Sequence, residues 1–209
     1  MLDVILIDNG VHGLRDYFVD GAAVRYRPAR IGGQWPPDLA GADLVIAPNG
    51  TDHVALHAAR EAVAAHLQGG GALACFCGFF TPWIPGNRWV HDTGRPLNEL
   101  EYHAVDDRLG LLNGVDLERF AAGRHGIRGG WACGRIETDH AESVLLRDSH
   151  HRVIMVADTR STAGLIVATA SGPLGDAAPD QPLPDDGGDP TRLYRNLLNV
   201  VRQRKESRQ

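Results

Sequence analysis

Residues 69–85 read GGGALACFCGFFTPWIP. Three glycines open the stretch, a short apolar run follows over residues 72–77, and the run stops at Cys77-Gly78. An apolar strand set between glycine turns, with a reactive side chain at its end, is how an open α/β sheet presents chemistry at its carboxyl edge. The segment before the glycines is alanine-rich. Thr51 or Asp52 can cap a helix over residues 53–67, which the glycines of 69–71 then end. A helix feeding a buried strand through a tight turn is one half of a βαβ unit.

Reading outward, residues 2–7 (LDVILI) form a continuous apolar run, the pattern of a strand covered on both faces. The turn Asp8-Asn9-Gly10 ends it. Residues 11–18 suit a short helix and 22–26 a second strand, followed by a loop over 27–39 rich in Gly and Pro. Residues 42–47 form a third strand, stopped by Pro48-Asn49-Gly50. Strands and helices alternating through short turns predict a parallel sheet. After Gly78 the periodicity is lost. Residues 79–142 hold three of the four tryptophans and read as a long, partly helical insertion. Residues 143–146, 152–157 and 164–169 then read as three strands of an antiparallel meander, with turns at His150-His151 and residues 159–163. Residues 173–189 form a Pro/Gly/Asp loop. A last helix opens at Asp189-Pro190, carries the apolar stripe Leu193, Leu197, Val200 and Val201, and gives way to a frayed basic tail over 203–209.

The 209 residues suffice for one well-filled core and predict a single domain over 1–209. Apolar content of 43% and charged content of 22% are those of a globular chain. A net charge of −5 leaves no basic face for nucleic acid. No apolar run approaches the ~18 residues of a membrane span. The chain starts on a strand without a charged leader, and its three cysteines are an odd number, so the expected setting is the reducing cytoplasm. The Gly, Ala and Arg content suits a GC-rich bacterial source.

The order of elements resembles the class I glutamine amidotransferase-like superfamily, and within it most the trehalose-utilisation (ThuA-like) branch. The resemblance is carried by ADLVIAPNG at 42–50 with the GGGAL of 69–73 beyond the helix, by VLL at 144–146, VIM at 153–155 and GLIVAT at 164–169, and by YRNLL at 194–198. It covers most of the chain. The catalytic members imply a G-x-C-x-G elbow whose cysteine is activated by a histidine and a glutamate. Counting back from Gly78, that position is Phe76, with Cys75 and Cys77 on either side. One residue in a strand turns a side chain to the opposite face. No His-x-Glu follows near the C-terminus. The reading therefore expects a degenerate active site without glutaminase activity.

Cys77 is the candidate catalytic residue: at a strand end, before a helix start, a thiol pKa falls. The same position also suits a small buried residue. Asp8, Asn9, Asn49 and Asp52 end the first and third strands, where amide and carboxylate groups hold polar ligands or cap turns and helices. Trp83, Trp89, His91 and His125 lie in the insertion, where indoles beside polar groups suit a carbohydrate or anchor a long loop. His53 and His57 at i, i+4, and His125, Cys133, Asp139 and His140, lack the spacing of a known zinc module, and no metal or cofactor is assigned.

The sequence thus predicts a flavodoxin-like, doubly wound, mostly parallel sheet with an antiparallel C-terminal extension and a long insertion over its carboxyl edge. Two functions stay open: binding or acting on a polar, carbohydrate-like small molecule, and a catalytically silent scaffold that meets a protein partner within a larger assembly. Neither nucleic acid nor membrane is an expected partner, and a homo-oligomer is compatible with both.

Overall fold

The computed structural model describes residues 1–8, 10, 18–76, 78–92, 94, 100–122, 134–170 and 189–208. Its strands are β1 (Leu2–Asp8), β2 (Val24–Arg30), β3 (Leu44–Ala47), β4 (Ala72–Cys75), β5 (Asn87–His91), β6 (Tyr102–Ala104), β7 (Gly134–Thr138), β8 (Val144–Asp148), β9 (Val153–Asp158) and β10 (Leu165–Thr169). The helices are α1 (His53–Ala58), α2 (Arg60–Gln68), α3 (Leu117–Ala122) and α4 (Asp189–Glu206). Eight strands form one sheet in the order β2-β1-β3-β4-β10-β9-β8-β6, and β5 pairs with β7 in a second, two-stranded sheet. From β2 to β10 the strands are parallel; from β10 to β6 each pairing is antiparallel.

The predicted parallel neighbours are found. Val4–Leu6 register with Leu44–Ile46, and Leu44–Ala47 with Ala72–Cys75. Every residue of β3, β4 and β10 is buried, which is why these strands read as unbroken apolar runs. The meander is present with its turns. Among its residues His151 has φ 61°, in the left-handed region.

Four local readings are corrected. The second strand continues to Arg30 through a stretch read as loop. Pro28 is accommodated because β2 is an edge strand, where a missing N–H need remove no bond from the sheet. The helix after β3 is two helices: Ala59 sits between them at φ −87°, ψ 0°, and the Arg60 guanidinium takes the His57 carbonyl at 3.0 Å, one of the oxygens a helix end leaves over. Asp52 does cap α1, accepting from the amides of Val54 and Ala55. The insertion contains strands: in β5 and β7 alternate side chains are buried, so that Trp89 faces Ile136 inside while Arg88 pairs with Glu137 outside. The basic tail is helical to Glu206. Lys205 bonds Asp43 at 2.8 Å and Arg204 bonds the carbonyls of Ala163 and Gly164. The helix expected at 11–18 and most of the 173–189 loop lie outside the described residues.

Two buried polar knots fix the antiparallel half. Asp158, fully buried, accepts from the Asn87 amide, the Ser143 and Ser161 hydroxyls and the amides of Arg160 and Ser161. Asp148 accepts from the Arg152 amide and from its Nε at 2.6 Å, while Arg152 reaches on to Asp92. At Gly164, a Cβ would collide with the Gly71 carbonyl oxygen. Only glycine fits where β10 begins beside β4.

Candidate functional site

Because β1, β3, β4 and β10 run the same way, Asp8, Pro48, Phe76 and Ala170 all emerge on one edge of the sheet. Ligand crevices of open α/β sheets form along such an edge. The Trp89 indole N–H donates to the Ala170 carbonyl at 2.5 Å, which carries the β5–β7 pair to the same edge.

Asp8 is 6% exposed and accepts the Gly10 amide at 2.9 Å, so its carboxylate braces the turn that leaves β1. Asn49 is exposed and accepts the Gly50 amide at 3.0 Å. Asp52 is exposed and serves as the helix cap. Thr51, which sequence reading weighed only as a cap, is buried and donates its hydroxyl to the Pro48 carbonyl at 2.6 Å. This short bond fixes the turn that delivers Asn49 and Asp52.

Trp83 and Trp89 are 3% and 5% exposed. Both indoles therefore pack as core. The Trp83 N–H has no hydrogen-bond partner among the described residues. Gly78 and Gly134 lie directly against the Trp89 ring, where a Cβ would come within 2.9 and 2.5 Å of it. His91 is exposed, 5.6 Å from the Trp89 ring centroid. Asn9, Cys77 and His125 lie outside the described residues, as do Trp131 and Cys133. Phe76, where the sequence resemblance would put a cysteine, is 1% exposed and belongs to the core.

One aromatic residue was missed by the sequence reading. Phe80 is 59% exposed, yet its ring meets His53 at 4.4 Å and Trp89 at 4.3 Å, edge to face with each. His53, Phe80, Trp89 and His91 thus form one continuous ring ladder beside the β3 exit. The Thr81 hydroxyl donates to the His53 carbonyl at 3.1 Å and ties the two segments together. Partial burial holds the His53 pKa below the ordinary histidine value, and the Asp52 charge opposes this. At neutral pH the His53–Phe80 part of the ladder is uncharged, with Asp52 directly before His53 in the chain and His91 beside Trp89 at its other end. The available signal was the adjacent pair Phe79-Phe80 just beyond a strand end, of which the structure buries the first and exposes the second.

The Nδ1 atoms of His53 and His57 are each buried without a hydrogen-bond partner among the described residues. Among the described residues no group of three or more His, Cys, Asp or Glu is placed to hold a metal ion, and no helix is long and apolar enough to cross a membrane.

No protein-family model matches the chain, and no curated protein sequence matches it. Among solved structures the chain is similar to a crystal structure from Thermoplasma acidophilum, described as a candidate GMP synthase subunit. The TM-score is 0.60 and the identity 14%, over 100% of this chain and 98% of that one. At this identity the likeness shows the fold alone: a flavodoxin-like α/β fold on a mostly parallel central sheet.

Proposed function

We propose that the carboxyl edge beside β3 binds a polar small molecule of carbohydrate-like chemistry, and that the protein does not hydrolyse glutamine. The observation that carries the reading is Phe80. Its ring is held on two sides by His53 and Trp89 yet stays 59% exposed, an apolar surface with polar neighbours on either side. An apolar sugar face stacks on such a ring while its hydroxyls meet groups like Asn49, Asp52 and His91. The buried Phe76 supports the absence of glutaminase chemistry. The ThuA-like branch is the placement within the fold that the 42–50 and 164–169 segments favour, and a sheet drawing strands from Leu2 to Thr169 supports a single domain over 1–209. The buried Cys75, a thiol outside any disulfide, suits a cytoplasmic setting.

The test is a thermal-shift titration against mono- and disaccharides and their phosphates, with Phe80→Ala as the variant. Because Phe80 is 59% exposed but meets two rings, its removal should cost about 1 kcal/mol of stability, while binding is lost. Binding unchanged in Phe80→Ala sinks the site. Glutamate released from glutamine, and abolished by Cys77→Ser or Cys75→Ser, sinks the second half of the reading.

A scaffold role is favoured by one separate observation. Val54, 76% exposed, follows His53 in the first turn of α1, and Phe80, 59% exposed, meets the His53 ring, so two large exposed apolar side chains belong to this part of the surface. The similar structure is itself described as one subunit of an enzyme. Copurification of a protein that Val54→Glu releases, with no ligand response in the titration, would select this role.

A further inference from the structure

The opposite edge of the sheet carries a cleft that neither reading uses. It measures about 600 Å³ and lies between the loop entering β3 and the end of α2, lined by Asp38, Asp43, Ala62, His66, Gly71 and Arg208 among others. Its floor is small. Ala40, Gly41, Ala42, Ala62, Ala65 and Gly69 contribute no long side chain, which is why an open space remains.

Three groups give this space a polarity. His66 places Nε2 3.0 Å from the Ala72 carbonyl oxygen. A carbonyl only accepts, so Nε2 carries the proton and Nδ1 keeps its lone pair. Gly71 allows this, since a Cβ there would collide with the imidazole ring. Burial, the largest influence, lowers the His66 pKa and keeps the ring neutral; the Arg208 charge acts in the same direction, and the Ala72 bond and Asp43 oppose. On one wall Asp38 is exposed, bonds the Ala40 amide of its own turn, and has no cationic partner among the described residues. On the other, the Arg208 guanidinium lies over Gly70, where a Cβ would come within 2.9 Å of it, and has no anionic partner among the described residues. Asp43 is already neutralised by Lys205. A carboxylate without a cationic partner, a guanidinium without an anionic partner and an imidazole therefore line a common cleft.

We propose that this amino-edge cleft is a second ligand site, and that it takes a small zwitterion of the α-amino-acid type. The ligand ammonium is held by Asp38 with the His66 Nδ1 lone pair as a second acceptor, and the carboxylate by Arg208. A lone anion would meet Asp38 and a lone cation would meet Arg208. Only a molecule carrying both charges satisfies both walls.

The experiment is calorimetric titration of the full chain with the standard free amino acids, each binder compared with its decarboxylated amine and its deaminated acid. Saturable binding by at least one amino acid is expected, with amine and acid each weaker by about tenfold or more. Arg208→Ala and Asp38→Ala, both exposed substitutions, should each weaken binding by about tenfold, and Ala62→Trp should block it by filling the cleft. Phe80→Ala, at the other edge, should leave it intact. Absence of binding up to about 10 mM, near the weak end of specific affinity, overturns the proposal. So does equal binding of the amine or the acid, or binding that survives Ala62→Trp and is lost in Phe80→Ala.

Discussion

The indole of Trp89 donates to the carbonyl of Ala170, 81 positions along the chain, at 2.5 Å. It is the point at which the outer two-stranded sheet is fastened to the end of a central strand. Trp89→Phe keeps most of the buried ring and loses the bond, at about 1–3 kcal/mol. Trp89→Ala also opens a cavity against Gly78 and Gly134 and should lose about 3–5 kcal/mol. Urea unfolding measures both, and near-wild-type stability in the alanine variant would remove the anchoring role.

Tyr26 and Tyr194 join their hydroxyls at 2.6 Å inside the core, with Phe18 packed against both rings. The contact holds edge strand β2 to helix α4. Tyr194→Phe and Tyr26→Phe should each lose about 1 kcal/mol, and the double variant less than the sum because the shared bond is counted once. Strict additivity in a double-mutant cycle would show that the hydroxyls are not coupled.

Asp158 accepts five hydrogen bonds with no exposure to water. Burial is the largest influence and pushes its pKa up, but the donors together outweigh it and hold the value below the ordinary aspartate range. Its stabilising contribution is therefore present above the unfolded-state pKa of about 3.9 and is lost as pH falls through the folded value. Asp158→Ala, which strands several buried donors, should cost about 3 kcal/mol or more at neutral pH. A loss below about 1 kcal/mol, no more than a single ordinary hydrogen bond, would deny the knot its structural role.

His66 predicts a second pH dependence, of the same sign by a different route. Its folded pKa is lowered, so below about 6.5 the unfolded chain takes up a proton that the folded chain refuses. Stability should fall as pH drops from neutral, and the slope should be shallower in His66→Gln; His53, also lowered, retains part of it. Urea midpoints between about pH 5.5 and 8, the range over which a histidine changes charge, test this. An unchanged slope in the variant would show that the ring titrates normally.

The parallel half of the sheet was legible because its strands are covered on both faces and announce themselves as unbroken apolar runs. Val45, Leu73 and their neighbours leave no room for another reading. The β5–β7 pair was not, although NRWVH and GRIET each alternate: Trp89 and its partner Ile136 are far apart in the chain, and one strand of period two cannot name its mate. At the site, polar strand ends were visible as turn residues. Asp52 was legible as the helix cap, because its bonds to the Val54 and Ala55 amides are local; that Phe80 rather than Trp83 would be the exposed ring depended on packing between segments that sequence order does not reveal.

Strand β10 lies between β4 and β9, so the sheet is completed from its middle by one of its last pieces. As the chain leaves the ribosome, β2-β1-β3-β4 and the β8–β9 hairpin can each form while the seam between them is still unmade. Until residue 169 has emerged, the nascent protein carries two open edges, those of β4 and β9, which only the strand still to come can close.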